Sequence, residues 1–259
     1  MLKRILAASG TETDAAGPIL WSVSLAKEHD ASVTVFPVQD VSEWQRLRQT
    51  SPEGNPTLDP TQHPEYQPLL QAGLSYRGLE PQKDSMGALA SLSRYQDMLL
   101  FGLGDCYSPS LVPDFTKAVS RLVQQTACPL LLTPPANREV KRVIIAYSGS
   151  TASARSFRRF VQSGLYADAE VDVVSLGSNL DDAYALLKPA EEYLHEHGRK
   201  VNLIALRGNE MQVVNHALDS KADLVVVGSN HRNALGIETS SQVLRAFLDQ
   251  RTIPVFLSH

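Results

Sequence analysis

The sequence predicts an α/β protein made of two repeated, small doubly wound domains, each a five-stranded parallel sheet with four helices. Three observations predict it. Short apolar runs alternate with stretches of helical periodicity, the pattern of strands joined by crossover helices. The opening Lys3-Arg4-Ile5-Leu6-Ala7-Ala8-Ser9-Gly10-Thr11 returns as Lys141-Arg142-Val143-Ile144-Ile145-Ala146-Tyr147-Ser148-Gly149-Ser150, and Thr126-Ala127-Cys128-Pro129-Leu130-Leu131-Leu132-Thr133 is answered by Arg251-Thr252-Ile253-Pro254-Val255-Phe256-Leu257-Ser258. Between the copies lies Pro134-Pro135-Ala136-Asn137-Arg138-Glu139, which neither continues a helix nor supplies inner-strand donors. The predicted domains are therefore 1–135, with an insertion at about 40–70, and 136–259.

In the first domain a strand over 3–8 leads to a helix from Asp14 to His29, where Ile19, Val23 and Ala26 share a face. A strand over 32–38 follows. From Asp40 to Leu70 four prolines, Pro52, Pro56, Pro60 and Pro64, interrupt any periodicity, so this stretch reads as a surface excursion or a flap, anchored by Trp44 and Tyr66. A strand over 74–77, a helix over 84–95, a strand over 97–101, a helix over 111–126 and a strand over 129–133 complete the unit.

The second domain repeats the order more cleanly. Strands at 142–147, 170–176, 201–206, 223–227 and 253–257 are separated by helices at 152–163, 180–197, 209–220 and 240–250. Its central feature is the apolar run Ala222 to Gly228, which reads as a strand covered on both faces. A loop of about a dozen residues then leads to Thr239-Ser240-Ser241-Gln242-Val243, a helix start with free N–H groups. In doubly wound sheets the ligand crevice lies outside the carboxyl ends of the strands, where the winding reverses. An anion-capable corner is expected there.

Composition narrows the function classes. Among 259 residues, 28 Asp and Glu outnumber 24 Lys and Arg without basic clustering, which argues against nucleic acid as a partner. No run approaches the ~18 apolar residues of a membrane span, and the apolar stretch after Met1 is too short for a signal sequence. A cytoplasmic protein is expected. Cys106 and Cys128 form neither metal spacing nor a disulfide framework, and Cys128 reads as a buried small hydrophobe.

No catalytic residue and no metal site is assigned. Gly102-Leu103-Gly104 is too short for a dinucleotide fingerprint, and neither Ser-x-x-Lys nor Gly-x-Ser-x-Gly occurs with Ser9, Ser148 or Ser241. His195 and His197 do not share a helix face; preceding Gly198, they suit a helix C-terminus. His29 and His216 read as packing or surface residues, which leaves His231 as the histidine at the candidate corner.

The repeat, the five-stranded unit and the Gly228 corner together resemble the universal stress protein family in its tandem two-domain form. The resemblance covers essentially the whole chain, most strongly from Lys141 to Ser258. It implies strand order 3-2-1-4-5 in each domain and pairing of the two halves through their closing strands, Pro129 to Thr133 and Pro254 to Ser258, as an internal pseudo-dimer. Nucleotide-binding members of the family carry Gly-x2-Gly-x9-Gly-Ser after strand four and an Asp at the end of strand one. Here Gly228 keeps the first glycine, His231 stands at the second, Ser241 at the third and Gln242 at the serine, while Ser148 replaces the Asp. In the first domain Gly102 begins the pattern, but Asp105, Thr116 and Lys117 stand at its later positions and Ser9 replaces the Asp, so that half reads as a structural partner.

The motif is thus degenerate in both domains. The resemblance implies a stress-response regulatory or binding protein without robust catalysis. Its alternatives are an ATP- or AMP-binding protein with slow ATP hydrolysis in the second domain, and a protein-interaction scaffold, with a protein partner or homodimer. Any adenine nucleotide is expected to touch Ser148, Val227, Gly228, Ser229, His231, Ser241 and Gln242, with Ser175 and Leu176 beside its ring. The substitutions favour AMP or a ligand with no phosphate over ATP, because a ring at 231 takes space that a triphosphate would cross.

Overall fold

The computed structural model describes residues 2–12, 14–42, 66–228, 230–232, 238–240 and 242–258; the side chains of 230–232 and 238–240 lie outside the description. Two compact units emerge, Leu2–Asn137 and Arg138–His259.

The first unit runs β1 (Arg4–Ser9), α1 (Gly17–His29), β2 (Ser32–Pro37), α2 (Gln67–Gln71), β3 (Tyr76–Gly78), α3 (Ser85–Leu92), β4 (Met98–Gly102), α4 (Phe115–Gln125) and β5 (Leu130–Thr133). Its sheet has the order β3-β2-β1-β4-β5, with every pair parallel. The second unit runs β6 (Arg142–Ala146), α5 (Thr151–Ser163), β7 (Glu170–Leu176), α6 (Leu180–Glu196), β8 (Val201–Leu206), α7 (Met211–Asp219), β9 (Leu224–Gly228), β10 (Asn230–Arg232), β11 (Glu238–Ser240), α8 (Gln242–Gln250) and β12 (Val255–Ser258). The order β8-β7-β6-β9-β12 repeats that of the first sheet, again with parallel pairs. Each unit is the expected doubly wound α/β fold of order 3-2-1-4-5.

The fourth strand of each unit is apolar throughout, as expected where helices cover both faces. All five residues of β4 and all five of β9 are buried. The repeat extends to polar detail: Asp97 accepts from the Lys3 and Arg4 N–H groups at 2.7 and 2.8 Å, and Asp223 does the same for Lys141 and Arg142 at 2.9 and 3.0 Å. A carboxylate thus caps the unpaired start of the first strand in each unit. Among the described residues two charged side chains are buried in the second unit: Arg199, which donates to the Leu165 and Tyr166 carbonyls, and Asp172 of β7. Asp172 is held by Asn202 at 2.9 Å, Arg142 at 3.3 Å and His216 at 3.4 Å, as a buried carboxylate requires.

Details differ from the sequence reading in α1 and before the last helix. The buried stripe of α1 runs through Ile19, Ser22, Leu25 and Ala26, with Trp21 also inside, and Val23 is only half-buried. The Trp21 indole donates to the Ala136 carbonyl at 3.2 Å. The loop expected before Thr239 contains an antiparallel hairpin, with His231 opposite Thr239 and Arg232 opposite Glu238, and α8 begins only at Gln242. Thr239 and Ser240 are strand residues, consistent with the β preference of a branched side chain. Of the expected anchors of the 40–70 insertion, Tyr66 is buried and tilted against Tyr76, at 6.4 Å between rings; Trp44 lies outside the described residues.

Candidate functional site

In the order 3-2-1-4-5 the winding reverses between the first and fourth strands, which puts the crevice position of each unit at the carboxyl ends of β1 and β4 or of β6 and β9. The two differ in what fills them.

In the second unit β6 is followed by Tyr147-Ser148-Gly149, where the chain turns into α5. Gly149 adopts φ +71°, a conformation that favours glycine. Ser150 caps the helix by accepting from the Ser153 N–H at 3.2 Å. The hydroxyls of Ser148, Ser150 and Ser153 lie 3.0 to 3.2 Å apart in a triangle. Gly228, at the end of β9, abuts the same turn: a Cβ there would meet the Ser153 nitrogen at 2.7 Å and its Cα at 2.9 Å. The structure thus gathers Ser148 and Gly228 around the first turn of α5, and it adds Ser150 and Ser153, which the sequence reading missed. The signal available was the spacing Ser-x-Ser-x-x-Ser across a strand end and a helix start.

The other expected residues fall as follows. Val227 is buried, between Ala146 of β6 and Leu257 of β12. Ser175 is 1% exposed, and among the described residues its hydroxyl has no hydrogen-bond partner. Two residues on from the Ile145–Val173 pair, it shares the sheet face of Tyr147, whose ring meets Phe157 of α5 at 5.7 Å. Leu176 is half-buried at the strand end. The Gln242 side-chain amide lies against both Glu210 carboxylate oxygens, at 2.9 and 3.0 Å, and acceptors on that side assign its nitrogen there, so the residue at the motif's serine position faces the start of α7. Ser229, Ser241 and the His231 side chain lie outside the described residues.

The first crevice is occupied by its own chain. After β4 the segment Leu103 to Tyr107 folds back over the mouth of the sheet. The Tyr107 hydroxyl accepts from the Gly102 N–H at 2.8 Å and donates to the Ala8 carbonyl at 3.0 Å, spanning β4 and β1 at the point where the winding reverses. Its ring stacks on Phe101 at 4.4 Å. Two glycines admit the segment. A Cβ on Gly10 would lie 1.7 Å from the Cys106 carbonyl oxygen, and one on Gly102 would lie 2.2 Å from the Cys106 sulfur. Asp14 clasps the outside by accepting from the Asp105 N–H at 3.1 Å. Burial pushes the Tyr107 phenol well above its ordinary 10.0, with Cys106 adding to the effect and the Gly102 N–H opposing it. The phenol therefore keeps the proton that it donates to Ala8.

The helix start beyond this segment is also satisfied internally. Asp114 caps α4 by accepting from the Lys117 N–H at 3.0 Å, and its carboxyl is held below its ordinary 3.8 by that bond, then by the Lys117 side chain. Thr116 and Lys117, expected at the motif's last two positions, thus sit under a carboxylate of the chain itself. Cys128 is buried, and burial pushes its thiol up to about 12, an inert group. His197 closes α6, its ring 4.2 Å from Tyr193, as expected of an imidazole at a helix C-terminus. Among the described residues no three His, Cys, Asp or Glu side chains group to hold a metal, and no helix is long and apolar enough to cross a membrane.

No protein-family model matches the chain. The universal stress protein Slr1230 of Synechocystis is 29% identical over 144 residues, which are 53% of this chain and 49% of that protein. The chain therefore spans about half the length of the curated relative it matches. A universal stress protein from Archaeoglobus fulgidus superposes with a TM-score of 0.71 at 13% identity, covering 98% of this chain and 97% of that one. A putative universal stress protein from Pseudomonas aeruginosa gives a TM-score of 0.66 at 14% identity, covering 99% and 93%. At these identities the solved structures share the fold.

Proposed function

From the premise that this chain resembles the universal stress proteins in their tandem form, we propose that it is a stress-response binding or regulatory protein without robust catalysis, and that its exchangeable ligand is an adenine nucleotide of few phosphates, such as AMP, in the second unit. The observation that carries this reading is the contrast between the crevices. One is stoppered by Tyr107. The other is lined at its edge by the hydroxyls of Ser148, Ser150 and Ser153 around a capped helix start, polar groups suited to a ribose or a single phosphate.

The preference against ATP has its own support. The Glu210 carboxylate lies against the Gln242 side-chain amide at the start of α8, where a phosphate chain would run. A further negative group there disfavours a polyanion. Ser148 takes the place of the family's Asp, and its hydroxyl is engaged with Ser150 and Ser153.

The test is calorimetric titration of the full chain with AMP, ADP and ATP, with and without Mg²⁺, alongside an assay for phosphate release. We expect AMP to bind more tightly than ATP, to raise the melting temperature, and to be bound without turnover. Ser148→Asp, which restores the family's acceptor, is expected to tighten binding of every nucleotide. If no nucleotide shifts the melting temperature of either protein, the ligand reading fails and the scaffold alternative takes its place.

A further inference from the structure

The first unit carries an observation independent of the second crevice and of the reading built on it. Three interactions converge on Tyr107: a stacked ring, a backbone donor and a backbone acceptor, the donor on β4 and the acceptor on β1. These are the interactions by which a sheet's switch point holds a planar ring bearing one group that both donates and accepts. We propose that the first crevice is a ring-binding site filled from within, with Tyr107 as a tethered internal ligand whose removal leaves a site for a small hydroxylated aromatic ring.

The backbone is fitted to this occupant. Gly10 and Gly102 lie where any side chain would collide with Cys106, the residue that delivers Tyr107. A second tie holds the segment from β5, where the Leu103 N–H donates to the Thr133 carbonyl at 2.7 Å. Tyr107 is only five residues from the Gly102 amide that it binds. A tether so short gives the phenol an effective local concentration in the millimolar range or above, so a weak ring ligand in solution does not displace it. The first crevice is therefore closed to exchange by a side chain rather than by loss of the pocket's polar groups. This also accounts for the retained Gly102, which serves the fold-back of the chain and no phosphate.

The test uses the full chain, Tyr107→Gly and 4-methylphenol, the tyrosine side chain as a free molecule. Tyr107→Gly is expected to melt lower than the parent protein and to regain melting temperature with rising 4-methylphenol, whereas toluene, which lacks the hydroxyl, restores less. Millimolar 4-methylphenol leaves the parent protein unchanged. A folded Tyr107→Gly whose melting ignores 4-methylphenol overturns the proposal, as does an equal shift in parent and variant. Should Tyr107→Gly fold only with the phenol present, that rescue supports it. Tyr107→Phe provides the second measurement, since it keeps the ring and deletes both hydrogen bonds. Amide exchange at Gly102 should then accelerate about tenfold or more while Val226 in the second unit stays as it was. Unchanged exchange at Gly102 contradicts the assigned contacts.

Discussion

At the mouth of the first sheet, Ser9-Gly10 faces a chain that returns through Cys106 and Tyr107 to close the crevice. At the mouth of the second, Ser148-Gly149 leads directly into a serine-capped helix. The same dipeptide serves two ends. Gly10 is needed for close approach, because a Cβ would strike the Cys106 carbonyl; Gly149 is needed for its positive φ. The fourth-strand glycines diverge likewise, Gly102 against the Cys106 side chain and Gly228 against the backbone of the first turn of α5. The difference teaches that a retained motif glycine is weak evidence for a phosphate until its neighbours are known. Each glycine here has a packing or conformational reason within its own unit.

The largest expected effect breaks this comparison at its tightest point. Gly10→Ala puts a methyl group 1.7 Å from a backbone oxygen, so either β1 or the Cys106–Tyr107 segment must move. We expect a loss of about 3 kcal/mol, the upper part of the overpacking range. Gly228→Ala meets backbone at 2.7 Å and should cost somewhat less, about 2 kcal/mol. Denaturant midpoints at constant m-value measure both. A Gly10→Ala protein as stable as its parent would show that the chain does not return over the first sheet as described.

Much of this architecture was legible beforehand because it rests on strong local patterns. Buried strands such as Leu224–Gly228 leave near-continuous apolar runs, and the repeat of Lys-Arg followed by an apolar strand marks both unit starts. What escaped depends on partners distant in sequence. Trp21 of α1 lies inside and donates to Ala136, more than a hundred residues away, a partner that the local period does not reveal. The hairpin Asn230–Arg232 with Glu238–Ser240 has strands too short to leave a period. Tyr107 sits in a polar stretch between Asp105 and Ser108, where an aromatic residue reads as surface; its role appears only when Ala8 and Gly102 are seen beside it. Gln242 stands at the motif's serine position in register, yet its side-chain amide lies against Glu210, a neighbour that register alone does not reveal.

Next in size is the phenol. Tyr107→Phe leaves a buried N–H and a buried carbonyl without their partner and is expected to cost about 1–3 kcal/mol. Its pH signature separates it from a simple packing change. The folded-state pKa of Tyr107 is raised above its ordinary 10.0, so the contribution is complete below that pH. Above it the unfolded chain loses the proton first, and stability falls by up to about 1.4 kcal/mol per pH unit until the folded phenol also ionises. Parent and variant should therefore converge in stability as the pH rises past 10.0, with the other tyrosines common to both. Parallel curves across that window would mean that Tyr107 titrates no differently in the folded state.

The smallest effect contrasts the helix starts that follow the two crevice walls. Asp114 caps α4 with a charge, and Ser150 caps α5 with a neutral hydroxyl. Ser150→Ala should cost about 1 kcal/mol at any moderate pH, because a hydroxyl cap has nothing to titrate. The Asp114 cap behaves otherwise. Its carboxyl is held below its ordinary 3.8, first by the Lys117 N–H and then by the Lys117 side chain. A depressed folded-state pKa contributes stability that is fully present above 3.8 and is lost as pH falls through the folded value. Protonation also removes the negative charge that favours the positive end of the helix dipole. Amide protection at Lys117 should therefore fall as the solution is taken from neutral pH to about pH 3, while protection at Ser153 holds its level. Asp114→Asn, which keeps a cap without the charge, should flatten the Lys117 response. Equal acid sensitivity at both positions would place the cause in general loosening of the chain, and the contrast between a charged and an uncharged helix start would be lost.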